Sequence, residues 1–264
     1  FISQNDISID KFVINKFYSK QKIRQFFIRK RVLRAVQNSY YTVAPSINSR
    51  NLLLNYVSNT SKIKVINNFS FQTQQFMEKK YNYHSISFLY VSNYAPHKMH
   101  QNLINAFWIL YKKNYNFTLT CVGKWSFNTI KKSIYKSDYT KELLRNKKII
   151  LLDEKNRTDI FKLHNNHDIF IFPSTCESGS MSLLEAMKSS MPVLSSSMTS
   201  NIEYTDNKSH YFDPMNVNSI VKIIEDVYSK KIILNSNSKS MYEVSKKFNY
   251  DKIIDQYLNC FESN

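Results

Sequence analysis

The chain has 264 residues, 42% of them hydrophobic, which is enough to build a real core in one large domain or two small ones. No apolar run approaches the ~18 residues of a membrane span. No secretory signal pattern opens the chain, and Phe1 as first residue reads as a sign that the native start is missing. Three cysteines, Cys121, Cys176 and Cys260, are odd in number and widely spaced, which reads as buried free thiols in a reducing compartment and not as a disulfide framework.

The net charge of +17 is concentrated near the start. Between Lys11 and Met77 there is no Asp or Glu, while Lys and Arg occur twelve times. Lys16, Lys20, Lys22, Arg24, Arg29, Lys30, Arg31 and Arg34 surround Ile23, Phe26, Phe27, Leu33 and Val36, which recur at helical spacing. A basic amphipathic helix over residues 16–34 reads as a surface for anionic lipid. Nucleic acid would suit the charge too, but no nucleic-acid motif accompanies it, and a plainly solvated face is the bland alternative. A strand at Tyr41–Ala44, a helix over Ser49–Val57 and a strand at Lys62–Ile66 then read as the tail of an α/β unit. Residues 68–84 read as a linker.

From Ser87 the pattern becomes regular. Strands are predicted at Ser87–Val91, Phe117–Val122, Lys148–Leu152, Asp168–Phe172 and Pro192–Ser195, with an edge strand at His210–Phe212. Helices are predicted over Met99–Asn114, Ser126–Arg145, Arg157–Asn166 and Met181–Ser190, briefly near Asn201, and over Val217–Lys230. Asn237–Lys247 and Asp251–Phe261 follow as helices beyond the sheet. Alternating helices and almost wholly apolar strands imply a Rossmann-like parallel sheet with helices on both faces. Ligands in such sheets bind at the carboxyl ends of the strands, here after Val91, Val122, Leu152 and Phe172. Only two glycines occur, against a usual ~7%. Asn is therefore expected to fill turn positions that need positive φ, and Gly123 and Gly179 to mark a close approach or a sharp turn.

The segment Glu177-Ser178-Gly179-Ser180-Met181-Ser182-Leu183-Leu184-Glu185 follows the apolar run Ile169–Phe172. A helix start after a parallel strand is an anion site, because unpaired N–H groups and the positive dipole end point outward together. A carboxylate there would repel phosphate, so Glu177 and Glu185 fit hydroxyl groups on either side of it, as in a nucleotide-sugar. Across the sheet edge, Lys98 can neutralise a diphosphate and Asn93 can donate from the strand end. The pair His164 and His167 reads as a helix end, since no third metal ligand accompanies it.

Four segments together resemble the C-terminal half of family 4 retaining glycosyltransferases, which have the GT-B fold. Phe88 to Lys98 resembles the family's phosphate loop, and Thr120 to Lys124 its second strand and turn. Asp168 to Ser174 with Glu177 to Glu185 resembles its E-x7-E motif, and Met191-Pro192-Val193-Leu194 and Tyr211-Phe212-Asp213-Pro214 match later landmarks. The resemblance implies that Glu177 contacts donor-sugar hydroxyls at the reacting centre and that Glu185 holds the ribose. The backbone of Ser178, Gly179, Ser180, Met181 and Ser182 would cradle the diphosphate, and Lys98 would balance the leaving group. Asn93, Gly123 and Lys124 complete the donor set. Asn93 stands where the family often has Arg, and Ser178 and Ser180 stand where it usually has glycines. Asn68 stands where a glycine commonly begins the interdomain linker, at a positive φ that Asn tolerates.

The resemblance further implies transfer of a sugar from a nucleoside-diphosphate sugar to a glycan or lipid-linked acceptor, with retention and no metal cofactor. The expected location is the cytoplasm, where the basic residues 16–34 could rest on the inner membrane face. Residues 1–80 would be the end of a larger, partial N-terminal acceptor domain with its linker, 81–235 the nucleotide-sugar domain, and 236–264 helices crossing back. A non-catalytic nucleotide-sugar or membrane-surface protein of the same fold is the competing reading, with an epimerase or phosphorylase behind it.

Overall fold

The structure, a computed structural model, describes residues 10, 19–56, 62–70, 75–124 and 128–262. Two parallel sheets organise it. In the first lobe, α1 (Ser19–Asn38) leads to β1 (Thr42–Ala44), α2 (Ile47–Leu54) and β2 (Ile63–Val65). The strands β1 and β2 pair in parallel, with Thr42 opposite Ile63 and Ala44 opposite Val65. Ser46 starts α2 two residues earlier than predicted, because its hydroxyl accepts from the Ser49 N–H and caps the helix. Lys16 and Val57, included in the expected helices, lie outside the described residues, and so does the Lys20 side chain.

The face of α1 differs from the expectation. Val32 and Val36 are buried, and with Ile28 they pack on Ala44, Leu53 and Ile63. Ile23, Phe26 and Phe27 lie on the opposite face, 59%, 51% and 58% exposed. The helix therefore has two apolar stripes, and only one is covered.

The second lobe is a six-stranded, wholly parallel sheet. Its strands are β3 (Ile86–Val91), β4 (Phe117–Val122), β5 (Ile149–Leu152), β6 (Ile169–Phe172), β7 (Val193–Ser196) and β8 (His210–Phe212). They lie in the order β5-β4-β3-β6-β7-β8. Sequence order thus runs outward from β3 to one edge and then restarts on its other side at β6. That reversal makes the β3/β6 gap the topological switch point, where the loops after the two strands part to opposite faces. Between strands run α3 (His100–Lys112), α4 (Asn128–Lys136), α5 (Asp138–Arg145), α6 (Arg157–Asn166), α7 (Met181–Lys188) and α8 (Thr199–Tyr204). After β8 come α9 (Val217–Tyr228), α10 (Leu234–Ser245) and α11 (Tyr250–Glu262). Phe88, Leu89, Phe170, Ile171 and Leu194 form the middle of the core and are fully buried, as strands covered on both faces require.

Several predicted spans shift for local reasons. The single helix expected over Ser126–Arg145 is two, because Ser137 is extended (φ −71, ψ 133) and starts a new helix at Asp138; Ser126 itself is outside the described residues. The helix expected from Met99 starts at His100, after a 3-10 turn over Pro96–Lys98, with Met99 left-handed at φ 54. Those expected to reach Ser190 and Lys230 stop at Lys188 and Tyr228, since Ser190 and Lys230 hold φ 58 and 57.

Among the described residues Asn carries positive φ at two positions, Asn114 and Asn207, and other residue types carry the rest, at Met99, Lys147, Ser190, Asp206 and Lys230. Most follow a helix directly. Lys147 N–H donates to Leu144 and Lys148 N–H to Leu143, the two bonds that close a Schellman end, and Ser190/Met191 after α7 repeat the pattern. Asn68 is not left-handed, and neither is either glycine. Cys121 and Cys176 are buried free thiols as expected, whereas Cys260 is only half-buried.

The two lobes meet along α8. Its Glu203 carboxylate accepts from the Ile47 N–H at 2.8 and 3.0 Å and the Asn48 N–H at 3.3 Å, placing a negative charge at the N-terminus of α2. The linker is held along the second lobe by Lys188, whose ammonium donates to the Ser70 carbonyl at 2.6 Å.

Candidate functional site

The loops after β3, β4 and β6 build the site at the switch point. After β3 the chain runs through Ser92 to Met99. The Tyr94 ring is fully buried, its hydroxyl donating to the Cys121 carbonyl at 3.0 Å and its N–H to the Lys124 carbonyl at 2.9 Å. Asn93 accepts from the Lys124 N–H at 3.0 Å through its side-chain oxygen. Gly123 is needed for close approach: a β-carbon there would lie 2.1 Å from the Ser92 carbonyl oxygen. Asn93, Gly123 and Lys124 thus form one joined surface.

The loop after β6 is stapled to that after β3. Both the N–H and the hydroxyl of Thr175 donate to the His97 carbonyl, at 2.8 and 3.0 Å. The Tyr90 hydroxyl donates to the Lys98 carbonyl at 2.9 Å. Held from both sides, Lys98 extends across the switch point and forms an ion pair with Glu177, the two side chains being 17% and 11% exposed. An ammonium has three donors, so Lys98 can keep this partner and still meet an incoming anion.

Behind Glu177 the turn Ser178–Ser180 leads into α7. The Ser180 hydroxyl caps it, accepting from the Leu183 N–H at 3.4 Å, and lies 3.3 Å from the Ser182 hydroxyl. The first N–H groups of the helix have no carbonyl of their own helix to bond, and Met181 at its start is exposed. Glu185 stands one turn further on. Burial pushes its carboxyl above the ordinary value, opposed by Arg157, whose guanidinium is 3.8 Å away. Positive charge from Lys98 and the helix end, flanked by two carboxylates, suits an anion with hydroxyl groups on each side.

Other titratable groups nearby are structural. His100 is enclosed between the rings of Tyr90 and Tyr94, at 4.7 and 4.2 Å, and burial, helped by Lys98, pushes its pKa down to about 3. His167 follows α6, its ring bonded to the Leu163 carbonyl at 2.7 Å and the Thr120 hydroxyl at 2.9 Å. Among the described residues no cluster of three His, Cys, Asp or Glu is arranged to hold a metal ion.

The sequence did not point to Arg157 or Thr175, nor to Ser49, whose hydroxyl donates to the Ser178 carbonyl, or Tyr204, whose hydroxyl accepts from the Asn68 N–H. Arg157 was within reach, since it opens the helix after the carboxyl end of β5. The others act through contacts between distant segments that no local pattern announces.

This sheet order, with a parallel β-α-β first lobe beside it, is that of a GT-B glycosyltransferase. Residues 72–248 match the family model for glycosyl transferases group 1, and the chain belongs to that family. It is 32% identical over 114 residues to the capsular polysaccharide biosynthesis glycosyltransferase CapM of Staphylococcus aureus, a match covering 43% of this chain and 28% of that protein. The chain therefore spans well under two thirds of that relative. Among solved structures, HepE from Anabaena in complex with UDP and glucose superposes with a TM-score of 0.73 at 16% identity, over 94% of this chain and 68% of that one. A mutant of S. aureus TarM in complex with fondaparinux, alpha-GlcNAc-glycerol and UDP gives a TM-score of 0.70 at 18% identity, over 98% and 50%. At these identities the structures share the fold.

Proposed function

We propose that this chain carries the donor-binding part of a retaining glycosyltransferase, which moves a sugar from a nucleoside-diphosphate sugar to a glycan or lipid-linked acceptor. The observation that carries this reading is the Lys98–Glu177 pair, which spans the switch point beside the N-terminus of α7. The diphosphate would lie between Lys98 and the N–H groups of Gly179 to Ser182. Glu177 would accept from hydroxyls of the donor sugar, and Glu185 from the ribose, displacing Arg157. Asn93, Gly123 and Lys124 would close the cleft from the neighbouring loop.

In the reaction, the bond from the anomeric carbon to the phosphate oxygen breaks and the acceptor oxygen bonds to that carbon on the same face. The acceptor's proton passes to the departing phosphate oxygen. Lys98 and the helix end stabilise the charge that develops there, so positioning and electrostatics supply the catalysis without a metal. The test is a thermal-shift screen against UDP-, GDP- and ADP-sugars, followed by sugar-transfer assays of Lys98→Ala and Glu177→Ala. A raised midpoint with one donor, and loss of transfer in both variants, is the expected result. Transfer at near wild-type rates in both would overturn the assignment.

We further propose that the outer stripe of α1 contacts an anionic membrane face. No helix among the described residues is long and apolar enough to cross a membrane. The outer stripe of α1 supports contact with one: Ile23, Phe26 and Phe27 continue into Lys30 and Arg34 at steps of three or four residues, and the Lys30 ammonium sits 4.7 Å over the Phe26 ring. Exposed aromatics ringed by cations match an anionic headgroup layer.

A further inference from the structure

The turn that leads into α7 is held from the first lobe. The Asn68 side-chain amide donates to the Gly179 carbonyl at 2.8 Å, and the Ser49 hydroxyl, from α2, donates to the Ser178 carbonyl at 3.3 Å. A trans peptide is planar, with its C=O and N–H pointing in opposite directions. Fixing the carbonyls of Ser178 and Gly179 toward the first lobe therefore aims the N–H groups of Gly179 and Ser180 away from it.

Asn68 is itself fixed. Its N–H donates to the Tyr204 hydroxyl at 3.1 Å, and that hydroxyl donates to the Pro45 carbonyl at 2.7 Å. Tyr204 is stacked on Phe248, with ring centres 5.0 Å apart. Ser49 is wholly buried, and its hydroxyl is 2.8 Å from that of Ser46, at the start of the same helix. Linker, first lobe and acidic turn thus converge on two adjacent peptide groups.

We propose that Asn68 and Ser49 are positioning residues for the donor diphosphate, which they serve by aiming the Gly179 and Ser180 N–H groups. The proposal rests on the donor-site reading above. Its consequence is that donor affinity depends on where the first lobe sits: moving Ser49 and the linker away frees both carbonyls and lets the turn rotate. The first lobe would then contribute to donor binding without touching the donor.

The experiment is a calorimetric titration of the chain and its Asn68→Ala, Asn68→Asp and Ser49→Ala variants with UDP, GDP and ADP. The parent nucleosides are followed by NMR, and the melting temperature of each variant is recorded. Asn68→Ala and Ser49→Ala are expected to weaken the preferred diphosphate about three- to tenfold, the size of one lost hydrogen bond. Asn68→Asp should weaken it further, because a carboxylate would face the Gly179 carbonyl. The nucleoside, having no phosphate, should bind every variant alike. If the wild-type chain binds none of the three diphosphates, the donor-site reading fails and the proposal with it. If the wild type binds one and the variants match its affinity, whatever their melting temperatures, the positioning role is overturned while the donor site stands.

Discussion

The Tyr204 hydroxyl occupies the space that a β-carbon on Gly179 would need, 2.3 Å from its ideal position. Gly179 therefore does not supply an unusual backbone angle; it lets an aromatic ring from α8 reach the linker past the acidic turn. Gly179→Ala should destabilise the chain by about 1–3 kcal/mol through overpacking. In a Tyr204→Phe background the cost should shrink, because the clashing oxygen is gone. Urea unfolding of the two single variants and the double variant measures the coupling, and strictly additive effects would contradict the contact.

Lys98 and Glu177 should respond to substitution in opposite senses toward a bare nucleoside diphosphate. Lys98→Met removes the countercharge and should weaken binding about tenfold or more. Glu177→Gln removes a carboxylate beside the diphosphate and should strengthen binding of the free diphosphate. The same change should reduce the preference for the sugar-bearing form, since a neutral amide accepts sugar hydroxyl groups less strongly. Calorimetry with UDP and UDP-glucose, or the pair for whichever base is preferred, reads both. Weaker binding of the free diphosphate by Glu177→Gln would show that the carboxylate serves chiefly to hold Lys98 in place.

Two of the buried histidines set a pH dependence. His100 and His164 both have pKa values pushed from the ordinary 6.5 down to about 3, by burial first. In the folded chain they remain neutral where the unfolded chain already binds protons. Stability should therefore fall as pH drops from 6.5 toward 3, with no contribution from these groups above that window. His100→Phe keeps the aromatic packing between Tyr90 and Tyr94 and should flatten the slope. Urea midpoints across pH 7 to 4 test it in the neighbourhood of the window, and an unchanged slope would place the effect elsewhere.

Vesicle binding should separate the two components of the α1 surface. With phosphatidylglycerol in the vesicles, Lys30→Glu and Arg34→Glu should each cost about 1 kcal/mol or more of attraction, an effect that salt screens. Phe26→Ser with Phe27→Ser should weaken binding at any salt concentration. Equal sedimentation with neutral phosphatidylcholine vesicles, or none with either, would remove lipid as the partner of this face.

The sheet was legible because its strands are nearly uninterrupted apolar runs. Ile169–Phe172 admits no other placement once Pro173 and the Glu177 turn follow it. The meeting of Lys98 and Glu177 was legible too, since residues at strand ends and helix starts face the same edge. What escaped was set by tertiary partners. The outer stripe of α1 was read as one face with Val36, because periodicity reports that a helix is amphipathic but not which side its neighbour covers. Asn68 was read as a backbone conformer, whereas its amide is what holds the turn. Ser137 splits a helix that propensity alone would have run through.

The left-handed residue after α5, exposed Lys147 at φ 53, has a bearing on how far this protein lies from its stability limit. A side chain in that conformation costs about 1–2 kcal/mol. Glycine would remove that cost but loosen the unfolded chain by about 0.4–1 kcal/mol. The first effect is the larger, so Lys147→Gly should raise the melting temperature, which a calorimetric scan can check. Ser190 and Lys230 hold comparable left-handed positions at the ends of α7 and α9, whereas α3 and α8 end on Asn114 and Asp206, residue types that tolerate that conformation. A chain with two glycines has thus left several helix ends strained that its architecture does not oblige it to strain, and those ends are a reserve from which a sturdier version could be made without touching the cleft.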